Sequence, residues 1–215
     1  LPLNVHSRSA GRHAVELLMA RGARRVQMHA FDGKITAARP ALEAGYFFSI
    51  PPSIVRSRQK QKLVRHLPLE ALLVETDCPY LAPQNWRGKR CEPAYVRSTA
   101  EKLAEIKGLT LEDVARITSL NAWRLFGIGE VDQSTRIAYV IRNSLYLNIT
   151  NRCTNSCTFC AKFRDFTVKG HQLCLEREPT VEDVMKAIGD PSSYDEVVFC
   201  GYGEPLLRLE LVKEL

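Results

Sequence analysis

Two groups of residues in this chain have types and spacings suited to chemistry. The first is a compact triplet, Cys153, Cys157 and Cys160, arranged as Cys-x3-Cys-x2-Cys. Three thiolates so spaced can wrap one corner of a [4Fe-4S] cluster and ligate three of its irons, leaving the fourth open. Zinc is the other chemistry available to them, with His171 or Cys174 as a fourth ligand, although zinc motifs usually come as paired Cys-x2-Cys knuckles. The second group is His6, His29 and Asp77, each at the end of an apolar run (LPLNV, RRVQM and LLVET). Parallel strands bring their C-terminal ends to one edge, so the three could share a Zn, Mn or Mg ion that polarises a phosphoryl oxygen and activates water. Any one of them alone would read as a satisfied polar residue of the core or of a loop.

The elements that must position these groups follow from periodicity. LPLNV, RRVQMHAF, YFFSI and ALLVETD read as strands, with helices at RSAGRHAVELLMARG, TAARPALEAG and VRSRQKQKLVRHL between them. A βα repeat predicts a parallel sheet. Two more helices follow, PAYVRSTAEKLAEIKG and TLEDVARITSLNAWRLFG, the second opened by Thr110 and Asp113 as a capping-box-like start. GIGEVDQST has no period and marks a linker. The strand SLYLNIT then enters the cysteine loop, followed by a helix at TVEDVMKAIG and a strand at EVVFCG, in which Cys200 reads as a buried residue.

Charge and cysteine usage bound the function class. Residues 1–128 hold 20 Lys and Arg against 11 Asp and Glu, and residues 129–215 hold 10 against 13. The basic excess in the first part suits a phosphate-rich partner by counterion release, and equally a solvated surface rich in arginine. Seven cysteines, five of them between Cys153 and Cys200, are an odd number that argues against a disulfide framework and for thiolate chemistry in a reducing compartment. No apolar run reaches bilayer-spanning length and the first residues carry no leader pattern, so a cytoplasmic location with no membrane partner is expected. Leu1 opens directly on an apolar run and Leu215 lies within an amphipathic stretch, so the chain reads as a fragment at both ends.

VHSR (5–8), HAFDG (29–33), GYFFSI (45–50), LPLEALLVETDCPYLAP (67–83), Glu92-Pro93 and NAWRLF (121–126) together resemble the successive blocks of the TatD family of metal-dependent deoxyribonucleases. The resemblance covers residues 1 to about 127. It implies half of a TIM-type (β/α)8 barrel with a two-metal site, His6, His29 and Asp77 at ligand positions, and DNA as substrate. Glu75 and Asp77 are then the catalytic carboxylates, with Glu75 as a supporting carboxylate or, alternatively, a strand-end residue paired to an arginine. The family's His-x-His pair and bridging Glu would precede Leu1, so this piece alone is expected to be inactive as a nuclease.

The triplet, read as strand, Cys157-Thr158-Phe159-Cys160 and then VVFCGYGEPLL (197–207), resembles the radical S-adenosylmethionine superfamily. That resemblance implies the opening strands of a partial barrel, a [4Fe-4S] cluster on Cys153, Cys157 and Cys160, and S-adenosylmethionine at the open iron. Gly201, Gly203 and Glu204 would lie against the cofactor's amino group. Phe159 is an adenine-side contact in this reading and a core residue otherwise. An electron donor to the cluster is a further implied partner. The departure is Tyr202 between the two glycines.

The expected fold is therefore α/β, two incomplete (β/α) barrels in tandem, with residues 1–127, a linker at 128–142, and residues 143–215. The expected function is part of a bifunctional protein, a metal-dependent DNase joined to a radical enzyme. A non-catalytic zinc-stabilised nucleic-acid-binding module is the alternative.

Overall fold

The computed structural model describes residues 1–83 and 86–215 and divides into two compact units, Leu1–Val131 and Asp132–Leu215. In the first, strands β1 (Leu3–His6), β2 (Val26–His29), β3 (Phe47–Ile50) and β4 (Leu72–Val74) form one parallel sheet in that order. Helices α1 (Gly11–Ala20), α2 (Ile35–Glu43) and α3 (Arg58–His66) lie between consecutive strands, and α4 (Val96–Lys107) and α5 (Leu111–Phe126) follow. The two-residue period of the central strands separates their faces. Val26, Met28, Phe48, Ile50 and Leu72 are fully buried in one apolar cluster with Val15, Val64, Leu103 and Ile117 from the helices. The alternate residues Gln27 and Ser49 are polar yet buried, and the Gln27 amide donates to Ser49 Oγ at 2.7 Å. Burying polar groups is tolerated only when they are paired, so this face is built for something other than apolar packing.

The start of α5 has the expected capping box: Thr110 Oγ1 accepts from the Asp113 amide at 3.1 Å, and the Asp113 carboxylate accepts from the Thr110 amide. Gly127, at a φ of 70°, closes the same helix in the left-handed conformation that glycine adopts without strain. Asn121, buried in the middle of α5, donates to the carbonyls of Leu69 and Leu72 at 2.9 and 2.7 Å, which fastens the helix to the entry of β4.

In the second unit β5 (Ala138–Ile141) pairs antiparallel with β6 (Ser144–Leu147), which pairs parallel with β9 (Glu196–Phe199); α6 (Val181–Ile188) lies between β6 and β9, and α7 (Leu209–Glu214) follows. Leu145, Leu147, Ile149, Val184 and Leu211 form one core cluster and Tyr139, Leu173 and Tyr202 another. Three expectations are corrected. The last residues of the expected linker, 128–142, form β5, hairpinned to β6 through a turn in which Arg142 has positive φ. The loop expected after the cysteines contains a small hairpin, β7 (Thr167–Val168) and β8 (His171–Gln172), too short to show a period but turned at Lys169-Gly170, both of positive φ. Cys200 is exposed, because it follows the end of β9, the edge strand of its sheet.

Neither sheet closes into a barrel among the described residues. No helix among them is long and apolar enough to cross a membrane. Replacing Asn121 by alanine strands two buried carbonyls and is expected to lower stability by about 2–4 kcal/mol, read by chemical denaturation. A loss below roughly 0.5 kcal/mol, the usual range for an unimportant surface site, would show that apolar contacts alone hold α5.

Candidate functional site

The parallel register sets His6 directly beside His29 at the ends of β1 and β2, with ring centroids 5.5 Å apart. Glu75 and Asp77 leave β4 at the same edge, and the Glu75 amide continues the ladder to the Ile50 carbonyl. His29 stands between these two carboxylates. Its Nδ1 lies 2.6 Å from Glu75 Oε2 and its Nε2 lies 3.0 Å from Asp77 Oδ1. Glu75 Oε2 also accepts from the Gln27 amide at 3.3 Å, and Oε1 accepts from the Ala30 backbone at 3.0 Å. Both Glu75 oxygens are thus engaged by β2 and the residue after it; the partner that the sequence suggested as an alternative, an arginine, is replaced by His29.

This arrangement can be tested for a metal ion from its donors. A neutral imidazole carries one N–H, and when that proton is donated from Nδ1 to Glu75, Nε2 presents a lone pair to Asp77. Two acceptors facing one another require a cation or a second proton between them. The pair therefore fits a divalent ion bound by His29 Nε2 and Asp77 with His6 adjacent, and Glu75 fits the carboxylate that orients the histidine behind it. Two donors converge, not three: among the described residues no set of three or more His, Cys, Asp or Glu side chains is assembled to hold a metal.

Lys60 was not legible as a site residue, being one cation among several on α3. Its Nζ donates to the carbonyls of Ala30 and Phe31 at 2.9 and 3.2 Å, and burial lowers its pKa against the opposing pull of Asp32, Glu75 and Asp77. Gln59 donates to the Asp32 carbonyl, and the Asp32 carboxylate accepts from the Ser9 amide at 2.9 Å. The loops after β1 and β2 and the first turn of α3 are in this way fastened together around the histidines. Ala30 itself has a φ of 47°, a left-handed conformation that a non-glycine residue holds only when its surroundings compel it.

In the second unit Cys153, Cys157 and Cys160 line one cavity of about 330 Å³ together with Phe159, Gly201, Gly203 and Glu204. None is in a disulfide. The Asn155 amide donates to Cys153 Sγ at 3.4 Å and the Cys160 amide to the Cys157 carbonyl at 3.1 Å, which turns the backbone through the loop that carries the three thiols. Three free thiols lining one cavity are the donor set of an iron–sulfur cluster with one iron unligated by protein, and among the described residues they are not drawn together into a metal-binding group in this structure. Phe159 is 85% exposed, which removes the core alternative, and it lines the cavity with the cysteines. His171 has its Nε2 3.0 Å from the Val140 carbonyl and its ring against Tyr139, while Cys174, like Cys160 of the triplet, packs against the cluster of Tyr139 and Tyr202 but is not among the residues lining the cavity.

The two glycines have a physical reason that the sequence did not supply. A Cβ on Gly201 would stand 2.1 Å from Asn148 Oδ1, and one on Gly203 would stand 2.0 Å from the Thr150 carbonyl oxygen. Both positions are glycine because the 201–204 segment lies directly on the stem that follows β6. Asn148 is fully buried there, its amide donating to the carbonyls of Arg136 and Leu173 while Oδ1 has no partner. The Glu204 amide donates to the Arg152 carbonyl at 2.8 Å, and its carboxylate accepts from the Leu206 amide at 3.1 Å, capping the turn at Pro205–Arg208. Tyr202, the departure noted in the sequence, is buried against Phe166 at 5.0 Å, and that burial raises its pKa strongly.

Residues 1–127 match the profile described as TatD related DNase, and residues 147–215 match that of the Radical SAM superfamily. Human deoxyribonuclease TATDN3 is 52% identical over 126 residues, covering 59% of this chain and 45% of that protein. The uncharacterized metal-dependent hydrolase YabD of Bacillus subtilis is 40% identical over 132 residues, covering 60% of this chain and 52% of its own. Among solved structures, the TatD homologue YJJV of Escherichia coli K12 superposes with a TM-score of 0.56 at 25% identity, covering 60% of this chain and 51% of that one. The chain spans about half the length of the curated relatives it matches.

The glycine geometry has a direct consequence. In Gly203→Ala the new methyl meets backbone, so the segment or the stem must move, at an expected cost of about 1–3 kcal/mol. Denaturation of the whole chain measures it; an unaltered midpoint would show that the segment is free to lift off the stem.

Proposed function

The chain belongs to the TatD related DNase family through residues 1–127, and from that premise we propose that it is part of a bifunctional enzyme, a divalent-metal-dependent phosphodiester hydrolase joined to a radical S-adenosylmethionine enzyme. On the hydrolase side the observation that carries the reading is His29 held between Glu75 and Asp77. Glu75 accepts the Nδ1 proton and so fixes the ring, His29 Nε2 and Asp77 form one wall of the ion site, and His6 stands beside them. The bound ion would supply Lewis acidity and a lowered pKa for water. Hydrolysis breaks one P–O bond, takes up one water and leaves a phosphate monoester and an alcohol. The surplus of Lys and Arg in residues 1–128 supports DNA as the polyanionic substrate.

On the radical side the carrying observation is that the three thiols and the Gly-Tyr-Gly-Glu segment share one cavity. Cys153, Cys157 and Cys160 would hold a [4Fe-4S] cluster, with Gly201, Gly203, Glu204 and Phe159 around S-adenosylmethionine. When bound and reduced by an electron donor, the cluster supplies the electron that cleaves a C–S bond of S-adenosylmethionine. The parallel pairing of β6 with β9 supports a partial (β/α) barrel, because it sends the cysteine loop and the 201–204 segment out of the sheet at the same edge.

In the full-length protein Asp77→Asn is expected to abolish metal-dependent DNA cleavage. Undiminished cleavage by that variant in excess chelator would remove the metal assignment. For the second activity, anaerobic reconstitution followed by iron and sulfide analysis is the direct measurement. Alanine at Cys153, Cys157 or Cys160 should remove most of the iron, since two thiolates leave two irons exposed. Alanine at Cys174 or Cys200 should leave it in place. Equal loss in the Cys174 and Cys157 variants would indicate four protein ligands and no open iron. Colourless protein holding one zinc ion would favour a zinc-stabilised module instead.

A further inference from the structure

The stem between β6 and the first cysteine, residues 148–152, is gripped from two sides. On one side lie Gly203 and Glu204, already described. On the other lies Glu178, in the segment before α6, a residue that neither lines the cavity nor touches a thiol. Its Oε1 accepts from Thr150 Oγ1 at 2.5 Å and from Arg152 Nε at 2.8 Å, and its Oε2 accepts from Arg152 Nη2 at 3.2 Å with Arg208 Nε at 3.6 Å. The direction of the Thr150 bond is defined, because Thr150 Oγ1 already accepts from the Arg152 amide at 3.0 Å and so gives its own proton to Glu178. Arg208 completes the assembly by donating to the carbonyls of Ile149 and Pro179 at 3.0 and 2.7 Å. Asn151 is tied to the same segment, donating to the Leu175 carbonyl at 2.6 Å and accepting from its amide at 3.0 Å.

Arg152 is bonded covalently to Cys153, and its guanidinium is a cation on the residue adjoining a proposed cluster ligand. Held by Glu178, it is directed at a carboxylate. Released, it would have as a neighbour the sulfur that the cluster needs. We propose that Glu178 is a positioning residue for the cysteine site, which fixes Thr150 and Arg152 so that Cys153 lines the same cavity as Cys157 and Cys160 and the Arg152 cation stays off its sulfur. This inference rests on the reading of the three thiols as cluster ligands. The carboxylate is held below the ordinary range by the Thr150 hydrogen bond first and then by Arg152, in agreement with the geometry.

The side chains of Arg152 and Glu178 are 61% and 34% exposed, so their ion pair contributes little to folding stability, whereas Thr150 is 2% exposed and its hydroxyl loses its partner when Glu178 is shortened. A positioning role and a structural role therefore separate when stability and iron retention are read together. In the whole chain, reconstituted anaerobically, Glu178→Ala is expected to stay folded with a lowered apo melting temperature, and well below that temperature its cluster loses iron to a chelator about ten-fold faster, the size of effect seen when a supporting residue behind a metal ligand is removed. Glu178→Gln, which keeps an acceptor for Thr150 and Arg152, should recover most of the retention, and Arg152→Ala placed on Glu178→Ala should recover part of it by removing the freed cation. The electron paramagnetic resonance change produced by S-adenosylmethionine should be diminished in Glu178→Ala and restored in the Gln variant. Wild-type iron retention and an unaltered resonance response in Glu178→Ala would overturn the proposal. If that variant fails to fold, the Gln variant decides: retention as poor as an unfolded chain's also overturns it. Wild-type protein that takes up no iron would instead overturn the cluster reading itself.

Discussion

A carboxylate with only 11% of its side chain exposed must have its lone pairs answered from within the protein, and Glu75 has them answered by His29, Ala30 and Gln27. Much of the first unit follows from that requirement. Gln27 and Ser49 are polar at buried positions because the chain of hydrogen bonds from Ser49 through Gln27 to Glu75 runs along one face of the sheet. The other face is left to bury Met28, Phe48, Ile50 and Leu72 against the helices. Ala30 holds a left-handed backbone because its amide must reach Glu75 while its carbonyl receives Lys60. An imidazole so held has its Nε2 directed at Asp77, which is the feature on which the hydrolase reading stands.

The second unit meets a comparable constraint with steric means as well as hydrogen bonds. The stem after β6 carries a buried asparagine and a carbonyl that come within 2.1 Å of where two Cβ atoms would be, so the facing segment can approach only as Gly-Tyr-Gly. The tyrosine between the glycines then points into the core beside Phe166, fixing the segment's rotation. Close approach in turn lets Glu204 donate its amide to the Arg152 carbonyl. The loop bearing the three thiols thus leaves the sheet from a base held on two sides, while its exposed end, with Phe159, faces solvent.

Legibility in the sequence varied with the range of the interaction. The helix start at Thr110 and Asp113 was legible, since a capping box joins residues three apart. A second one, Thr180 with Asp183, has the same three-residue spacing and opens α6. The short β7–β8 hairpin and the strand β5 were missed because strands of two and four residues carry too little period to separate from loop. Cys200 was misread as buried because an apolar strand pattern does not say which strand lies at the edge of a sheet.

The sequence alone determined the alternation of β1–β4 with α1–α3, the strand-end placement of His6 and His29, and the compactness of the cysteine triplet, because each depends on neighbours a few residues apart along the chain; it ran the fourth strand on to Asp77, whereas β4 ends at Val74. Only the tertiary structure decided which groups serve those residues. Glu75 meets His29 across 46 positions, Lys60 reaches back 30 to Ala30, and Glu178 reaches 28 to Thr150. Such pairings are set by strand register and by the face a helix turns to its sheet. Many carboxylates and lysines in a chain of this composition could have filled these roles, and three-dimensional packing selects among them.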